Sequence, residues 1–374
     1  MYLLTFISSA FLLYVSGKYK RNKYFSAFMV ILALLIPSIL AGLRDYNIGY
    51  DVLLYGNYWF EKACSYGSMI GYLNKAREYS VGIGYAAVNF LSSRISHDPH
   101  VFYFNYELLH MVLLYFGLKP FKDKISIPFA FLVYYFMWYN LSLNILRQSM
   151  ALIIVFFSYQ FVVNKKPVWF ALCIFIAMTF HNTAIIGVIL YIISFSLQSR
   201  VAKLFKLIVV FASGVVILFY KQVFEILASM SIFSTSRYGH YMEDSLAGGR
   251  YIRIVFWLFI AALVIWRGRQ CNRIWDHSKV INFWIIISLV MSLVMFVASS
   301  TVIRAAYYFD IIAVISIPFI TENLGVREKV LGNKIQYVIT IVPIILYWFL
   351  TFIVRNGAQT FPYVFYFAAT GTSS

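Results

Sequence analysis

Long apolar runs alternate along the chain with short basic or polar links. A helix that crosses a bilayer needs about 20 apolar residues. Two runs, 167–181 and 183–197, are shorter, and we expect them to form short, broken or re-entrant helices. The pattern predicts an all-α polytopic membrane protein of about 12 transmembrane helices. The runs are 2–16, 24–42, 100–118, 125–141, 146–163, 167–181, 183–197, 204–220, 251–266, 280–298, 304–320 and 335–353.

The basic residues concentrate in every second link. The positive-inside rule places those links in the cytoplasm and both termini outside, with 19 basic residues inside and 12 outside. This topology requires that segment 81–96 does not cross, and we interpret that segment as interfacial or re-entrant. It predicts one integral membrane domain, 1–374, with extracytoplasmic loops at about 43–99 and 221–250. The basic links are 18–23, 119–124, 165–166, 200–206, 267–279 and 327–334.

The composition excludes a soluble domain. Of 374 residues, 62% are hydrophobic and only 12% are charged, whereas soluble domains carry about 25% charged residues. The net charge of +17 would suggest nucleic acid in a soluble chain, but membrane orientation accounts for the inner basic residues, and we expect no nucleic-acid partner. Cys64, Cys173 and Cys271 form no CxxC motif, so neither a disulfide framework nor a thiolate metal site is predicted.

Arginine dominates the outer face, where nine of the 12 basic residues are Arg. Lysine suffices for orientation, whereas the guanidinium fork binds phosphate or carboxylate through two hydrogen bonds. We therefore predict an anionic ligand on the outer face. The alternative is that single arginines extend to the interface or pair with nearby carboxylates. The nine are Arg44, Arg77, Arg94, Arg147, Arg237, Arg250, Arg253, Arg304 and Arg355.

Two of these arginines lie where helix geometry adds to the attraction. Arg147 and Arg304 each begin a run that enters from outside, so the free amides and dipole of a helix N-terminus also favour an anion there. Arg44 closes the second run on the same side. Asp310 lies about two turns inside the run that Arg304 opens, and we expect it to pair with an arginine.

Histidines supply candidate proton-transfer groups. His181 ends the sixth run on the outer side, where a neutral imidazole can act as a general base or bind a sugar hydroxyl; a lone histidine at an interface is more often structural. His240, in the second outer loop, is either a base or part of the loop scaffold. Glu107 and His110 share one face of the third run, and they either pair across helices or line a polar cavity.

The chain lacks the usual signatures of several enzyme classes. It has no GxxxxGK[ST] loop, HExxH helix, dinucleotide fingerprint or GxSxG elbow, so ATP hydrolysis, zincin chemistry, hydride transfer and ordinary serine hydrolysis lack support. A reaction at the outer face would therefore need a substrate that is already activated.

Five short motifs follow one another along nearly the whole chain. They are Gly-Leu-Arg44-Asp45 with Ile-Gly-Tyr-Asp51, Tyr55 and Phe60; Asn-Ile-Leu-Arg147-Gln-Ser-Met-Ala with Phe-His181-Asn-Thr 34 residues later; Arg-Tyr-Gly-His-Tyr at 237–241; Arg304-Ala-Ala-Tyr307-Tyr-Phe; and Phe-Pro-Tyr363. Together these motifs resemble the EpsG/Wzy-type family of bacterial polysaccharide polymerases. Two departures from the family pattern are Tyr50, where Thr is usual, and Arg237, where Lys is usual.

The resemblance implies a glycosyltransferase of the hexosyltransferase type. Such an enzyme joins oligosaccharide repeat units carried on undecaprenyl pyrophosphate, at the periplasmic face of the bacterial inner membrane. The product would be an O-antigen, a capsule or an exopolysaccharide, and a GT-C-like fold is among the arrangements implied. Expected partners are the lipid-linked oligosaccharide, membrane lipids and a chain-length regulator of the same pathway. Pyrophosphate would be the anion that the outer arginines bind.

The resemblance also suggests roles for individual residues. Pyrophosphate would be held by Arg147 and Arg304, together with Arg44 and Arg250. His181 is the first choice for the base or hydroxyl-orienting group. The alternative catalytic residues are His240 and Asp51, and the further substrate-binding residues are Asp45, Tyr55, Arg237 and Tyr307.

Neither a cofactor nor a metal is predicted, because arginines can neutralise the phosphates. Carboxylates Asp45 and Asp51 nevertheless leave a divalent metal open.

Three other functions fit part of the pattern. A ligase that transfers finished polysaccharide to a lipid acceptor would use the same donor chemistry. A flippase for lipid-linked oligosaccharide would also need cations and many spans, but it should present cations to both leaflets. A non-catalytic subunit of a polysaccharide assembly is the third alternative.

Overall fold

The computed structural model describes residues 1–198, 204, 208, 247–294, 300–324 and 332–369. This part of the chain is helical, and its one β contact is an isolated bridge between Arg44 and Phe365. We number the α-helices in chain order. They are α1 Tyr2–Lys18, α2 Lys23–Gly42, α3 Asn57–Ser65, α4 Met69–Glu78, α5 Ile83–Ser93, α6 Pro99–Leu118, α7 Ile127–Tyr134, α8 Asn140–Asn144, α9 Leu146–Val163, α10 Pro167–Phe180, α11 Gly187–Gln198, α12 Ala247–Ile274, α13 Ser278–Val294, α14 Ser300–Asp310, α15 Ala313–Glu322, α16 Gly332–Trp348 and α17 Tyr366–Ala369.

Short turns of other helix types extend or interrupt these helices. The predicted run 125–141 is one example, because a π-helical turn joins α7 to α8 within it. The π-helical turns are Val52–Gly56, Tyr135–Tyr139 and Phe349–Val354, and the 3₁₀ turns are Lys119–Phe121 and Asn182–Ile186.

Several helices are long and apolar enough to cross a membrane, as expected for a multi-pass membrane protein. Three further apolar helices, α1, α10 and α13, are shorter. The predicted run 204–220 lies outside the described residues except at 204 and 208. The total of about 12 spans and a GT-C-like arrangement therefore stay predictions. The six long spans in the described residues are Lys23–Gly42, Pro99–Phe121, Leu146–Val163, Tyr251–Ile274, Arg304–Glu322 and Ile335–Val354.

The chain divides into two compact units. The first comprises Met1–Ile185 with Ile344–Ser374, and the second comprises Ile186–Pro343. The single membrane domain predicted for 1–374 stays a prediction.

Aromatic packing fills the core of the first unit. The rings of Phe6 and Tyr135 stack with their centroids 4.9 Å apart, and Trp348 meets Phe6 edge to face. The indole of Trp348 donates a hydrogen bond of 2.8 Å to the buried amide of Asn140. All five residues of the turn Tyr135–Tyr139 are buried, as expected for a helix that is apolar on every side.

The predicted outer loop 43–99 is largely helical. It contains the turn Val52–Gly56 and helices α3, α4 and α5. Helix α5 has 11 residues and is therefore about 16 Å long, too short to cross a hydrocarbon core about 30 Å thick. That length fits an interfacial or re-entrant segment, although its depth in the membrane stays a prediction.

Residues 356–366, which we call the return segment, run back to the start of this loop. The amide of Asp45 donates to the carbonyl of Val364 at 2.9 Å, and the amide of Gly49 donates to the carbonyl of Gln359 at 3.0 Å. The Tyr363 hydroxyl donates to the carbonyl of Leu40 at 2.6 Å. The return segment thus ties down residues 40–49, where two of the predicted site residues lie.

Candidate active site

Arg147 occupies the second position of α9, just after a residue that interrupts the helical conformation. Helices α8 and α9 are separated by Ile145, whose ψ of 63° is not helical. The guanidinium carbon of Arg147 lies 4.7 Å from the ring centroid of Tyr55. Its Nη1 donates to the carbonyl of Ser80 at 3.4 Å. Arg147 is half-buried, so a predicted anion-binding group stands on an aromatic face at the start of a helix.

Tyr55 connects Arg147 to Asp51. Asp51 precedes the π-helical turn Val52–Gly56, and Tyr55 lies one turn later and donates its hydroxyl to a carboxylate oxygen of Asp51. Burial raises the pKa of Tyr55 well above its usual value, the Asp51 carboxylate adds to this, and Arg147 opposes it. The phenol therefore stays neutral and acts as a donor. We call Asp51, Tyr55 and Arg147 the acid–tyrosine–arginine cluster.

The loop between α4 and α5 contacts both Arg147 and the residue before His181. Its Ser80 carbonyl accepts from Arg147, while its Gly82 and the nearby Gly84 of α5 pack against Phe180. A Cβ on Gly82 would lie 2.6 Å from the Phe180 carbonyl oxygen, and one on Gly84 would lie 2.6 Å from the Phe180 ring. Only glycine permits this approach. His181 directly follows Phe180, so one loop contacts both Arg147 and the end of α10.

His181 leaves α10 in an extended conformation, with φ −153° and ψ 124°. Its Nδ1 lies 2.6 Å from the Thr183 hydroxyl, and the backbone amide of Thr183 donates to the same nitrogen at 3.4 Å. The imidazole is half-buried. Its orientation is thus set by the residues that follow α10.

Arg44 and Asp45 are both buried. Arg44 is only 2% exposed; it donates to the carbonyl of Leu143 at 2.9 Å and stacks 4.3 Å from the ring of Tyr103. Asp45 is 6% exposed and accepts from the amide of Asn47 at 2.9 Å, as in an Asx-turn. This burial favours a structural role for both residues, and their contact with substrate stays a prediction.

The second unit contains Arg304 and Tyr307. Both are half-buried on α14, three residues apart and hence on one helical face. The expected pairing of Asp310 with an arginine is confirmed, because Asp310 forms a buried ion pair with Arg253 of α12. Arg253 also donates to the Ser292 hydroxyl at 3.0 Å. Although predicted among the outer anion-binding arginines, Arg253 is thus occupied by a packing partner.

Three predicted site residues lie beyond what the structure describes in detail. Arg237 and His240 fall outside the described residues, and Arg250 lies in the first turn of α12, where only the backbone is described. Their roles stay predictions. Among the described residues, no group of three or more His, Cys, Asp or Glu side chains could hold a metal ion.

Glu107 and His110, predicted either to pair across helices or to line a polar cavity, are both buried in α6. Glu107 accepts a hydrogen bond of 3.0 Å from the Ser142 hydroxyl, and Nδ1 of His110 lies 3.0 Å from the carbonyl of Tyr106. Each is therefore bonded separately within the helix packing.

Asn144 is a site residue that the sequence did not single out. Its side-chain oxygen accepts from the backbone amides of Tyr50 at 2.8 Å and Asp51 at 3.4 Å. Its place three residues before Arg147, in the motif Asn-Ile-Leu-Arg147, was the available signal. The glycine pair Gly82 and Gly84 was equally visible, but nothing in the sequence indicated what lies against it.

Comparison with known proteins agrees with the motifs. Searches of curated proteins and of solved structures gave no significant match. The profile of the EpsG family matches residues 27–365, which include the acid–tyrosine–arginine cluster, His181, Arg304 and Tyr363. The chain therefore belongs to the EpsG family, a family of Wzy-type polysaccharide polymerases.

Proposed function

We propose that the protein joins oligosaccharide repeat units carried on undecaprenyl pyrophosphate, at the periplasmic face of the bacterial inner membrane. Membership of the EpsG family supports the polymerase class. The observation that carries the assignment of the site is the acid–tyrosine–arginine cluster, which places a cation for phosphate beside a carboxylate that can accept a proton.

The reaction replaces a glycosyl–pyrophosphate bond by a glycosidic bond. The anomeric carbon of the growing chain is bonded to the lipid pyrophosphate, and a hydroxyl of the terminal sugar on a second lipid-linked unit attacks that carbon. The bond from carbon to the pyrophosphate oxygen breaks as the new bond from carbon to the sugar oxygen forms. The hydroxyl proton goes to a base, and the lipid pyrophosphate leaves as an anion. Direct displacement inverts the anomeric configuration.

Arg147 is assigned to the pyrophosphate. Negative charge grows on the leaving oxygen during the reaction, and a preorganised guanidinium stabilises that charge strongly where water is scarce. The ring of Tyr55 under the guanidinium and the Ser80 carbonyl at its Nη1 hold the fork in place. Arg304, with Tyr307 on the same helical face, is kept as a second phosphate-binding residue. Arg44 is reassigned to positioning because it is buried.

Asp51 and His181 are assigned different parts of the proton transfer. Because the Thr183 amide donates to Nδ1 of His181, the neutral imidazole carries its proton on Nε2 and acts as a donor. His181 therefore orients a sugar hydroxyl. Asp51, whose carboxylate accepts from Tyr55, is assigned as the base.

The assignment of Arg147 and Arg304 to phosphate binding is tested with Arg147→Lys and Arg304→Lys. Lysine keeps the charge but lacks the planar fork, so we expect long polymer to disappear in cells while protein levels stay normal. Arg77→Lys is the matched control, because Arg77 lies exposed at the end of α4, and it should leave polymer length unchanged. Full-length polymer from both the Arg147 and the Arg304 variant would contradict the assignment.

A deletion strain separates the polymerase from its rivals. Single repeat units on otherwise normal lipopolysaccharide indicate a polymerase, complete but unattached polymer indicates a ligase, and the absence of surface units indicates a flippase. Unchanged polymer length would contradict the proposal. Purified protein with lipid-linked repeat units, with and without a chelator, tests both the activity and its dependence on a divalent metal.

A further inference from the structure

We propose that Asn144 is a positioning residue for the polymerisation step: its side-chain oxygen holds the backbone of Asp51 and so fixes that carboxylate relative to Arg147. This inference rests on the proposed function for its effect on rate. The contact itself can be measured without activity.

Asn144 ties together the two segments that form the acid–tyrosine–arginine cluster. Its oxygen accepts from the amides of Tyr50 and Asp51, 94 and 93 residues away in sequence. Asn144 is the last residue of α8, and Arg147 follows it three residues later, in the first turn of α9. One amide side chain thus connects the carboxylate-bearing segment to the start of the helix that carries the guanidinium.

The two segments pack closely at this contact. Gly49 precedes the two bonded amides and has a positive φ of 92°; a Cβ there would lie 2.4 Å from the Leu143 carbonyl oxygen. The backbone of residues 49–51 therefore lies directly on residues 143–144. The two amides point at the Asn144 oxygen, and an alanine at position 144 would leave them without this acceptor.

An effect on the chemical step follows from the role of Asp51. The base acts as the hydroxyl proton is lost, so displacing its carboxylate lowers the rate of the bound complex more than it weakens substrate binding. Removing Asn144 should therefore lower kcat and leave KM nearly unchanged. A general loss of packing would instead reduce the amount of folded protein.

The first measurement is hydrogen exchange of the backbone amides of residues 50 and 51 in purified full-length protein, followed by mass spectrometry. In Asn144→Ala we expect exchange at both amides to be at least tenfold faster than in the wild type. Asn144→Asp keeps an oxygen acceptor and should keep exchange slow. Asn105→Ala is the control, because Asn105 bonds to a serine hydroxyl in the same unit and should change neither amide.

The second measurement is polymer formation from purified lipid-linked repeat units. Asn144→Ala should lower kcat at least tenfold with KM within twofold of the wild type, and Asn105→Ala should change neither. Unchanged exchange in Asn144→Ala, or a raised KM with an unchanged kcat, would overturn the inference. If the wild type makes no polymer, the proposed function fails, and the exchange comparison still decides whether Asn144 holds Asp51.

Discussion

Three arginines predicted for the outer face have different surroundings. Arg44 is buried against Tyr103, and its charge is solvated by a backbone carbonyl and a ring face. Arg253 neutralises Asp310 inside the second unit. Arg147 is half-buried and lies over Tyr55. Residue type alone therefore does not define an anion site; the site needs a guanidinium whose fork can still reach a ligand.

The buried pair of Arg253 and Asp310 gives a prediction of stability. Asp310→Ala leaves a buried cation without its partner, which typically costs about 3–5 kcal/mol. We therefore expect a clear fall in the unfolding temperature of detergent-solubilised protein. The double variant Arg253→Met with Asp310→Leu should recover most of the loss, because neither charge remains.

An exposed ion pair supplies the matched control. The Nζ of Lys279 lies 2.6 Å from Oδ1 of Asp276, but the two side chains are 47% and 73% exposed, respectively. Water screens such a pair, so Asp276→Ala should change stability by about 0–1 kcal/mol. Equal losses from the two aspartate variants would contradict the argument from burial.

Sequence reasoning at the residue scale named residues that lie together, but it did not find their contacts. It identified Asp51, Tyr55 and Arg147, which form one cluster in the structure, and their roles stay predictions. It could not separate Arg44 from Arg147, because the carbonyl that binds Arg44 lies 99 residues away. It did predict an arginine partner for Asp310, but not which one, since the partner lies 57 residues away on another helix.

At the scale of elements, loop 43–52 packs against the end of α8 at Gly49. A side chain there meets two obstacles, the positive φ and the Leu143 carbonyl. A left-handed backbone alone costs a non-glycine residue about 1–2 kcal/mol. The loop that carries Asp51 therefore depends on a residue without a Cβ.

Gly49→Ala should consequently lower both the unfolding temperature and the yield of polymer. Gly17→Ala is the control, because Gly17 lies in α1 with no atom within 4 Å of the added Cβ. Gly17 lies in the last turn of α1, where glycine costs less than in the middle of a helix, so Gly17→Ala should leave the unfolding temperature nearly unchanged while Gly49→Ala lowers it. If the Gly49→Ala protein were as stable and active as the wild type, the packing of loop 43–52 on α8 would not require glycine at position 49.

The helices that could be predicted from the sequence are those that a long apolar run is sufficient to define. The runs 24–42 and 146–163 agree with Lys23–Gly42 and Leu146–Val163 to within a residue, because a long apolar stretch has few other folds available in a membrane. The interval 43–99 was predicted as a loop, yet α3, α4 and α5 form within it. Helices of about ten residues gain their stability from packing, and packing partners cannot be read from local composition.

At the scale of the whole molecule, the predicted topology places the acid–tyrosine–arginine cluster outside and the link 119–124 inside. Single cysteines test this in a background without Cys64, Cys173 and Cys271. A membrane-impermeant maleimide should label Arg77→Cys in intact spheroplasts, whereas Lys122→Cys should react only after permeabilisation. Both positions are exposed in the structure, so a difference in labelling reports the side of the membrane. The reverse pattern would contradict the orientation.

The return segment can bind residues 40–49 only late in the synthesis of the chain. Tyr363 and the carbonyl it binds, at Leu40, are separated by 323 residues. At about 5–20 residues per second a ribosome needs roughly 16–65 s to cover that distance. During this interval residues 40–49 have left the ribosome and await the segment that holds them. A nascent chain can therefore enter the bilayer long before residues 40–49 bind the return segment, and a prematurely terminated chain should be inserted yet inert.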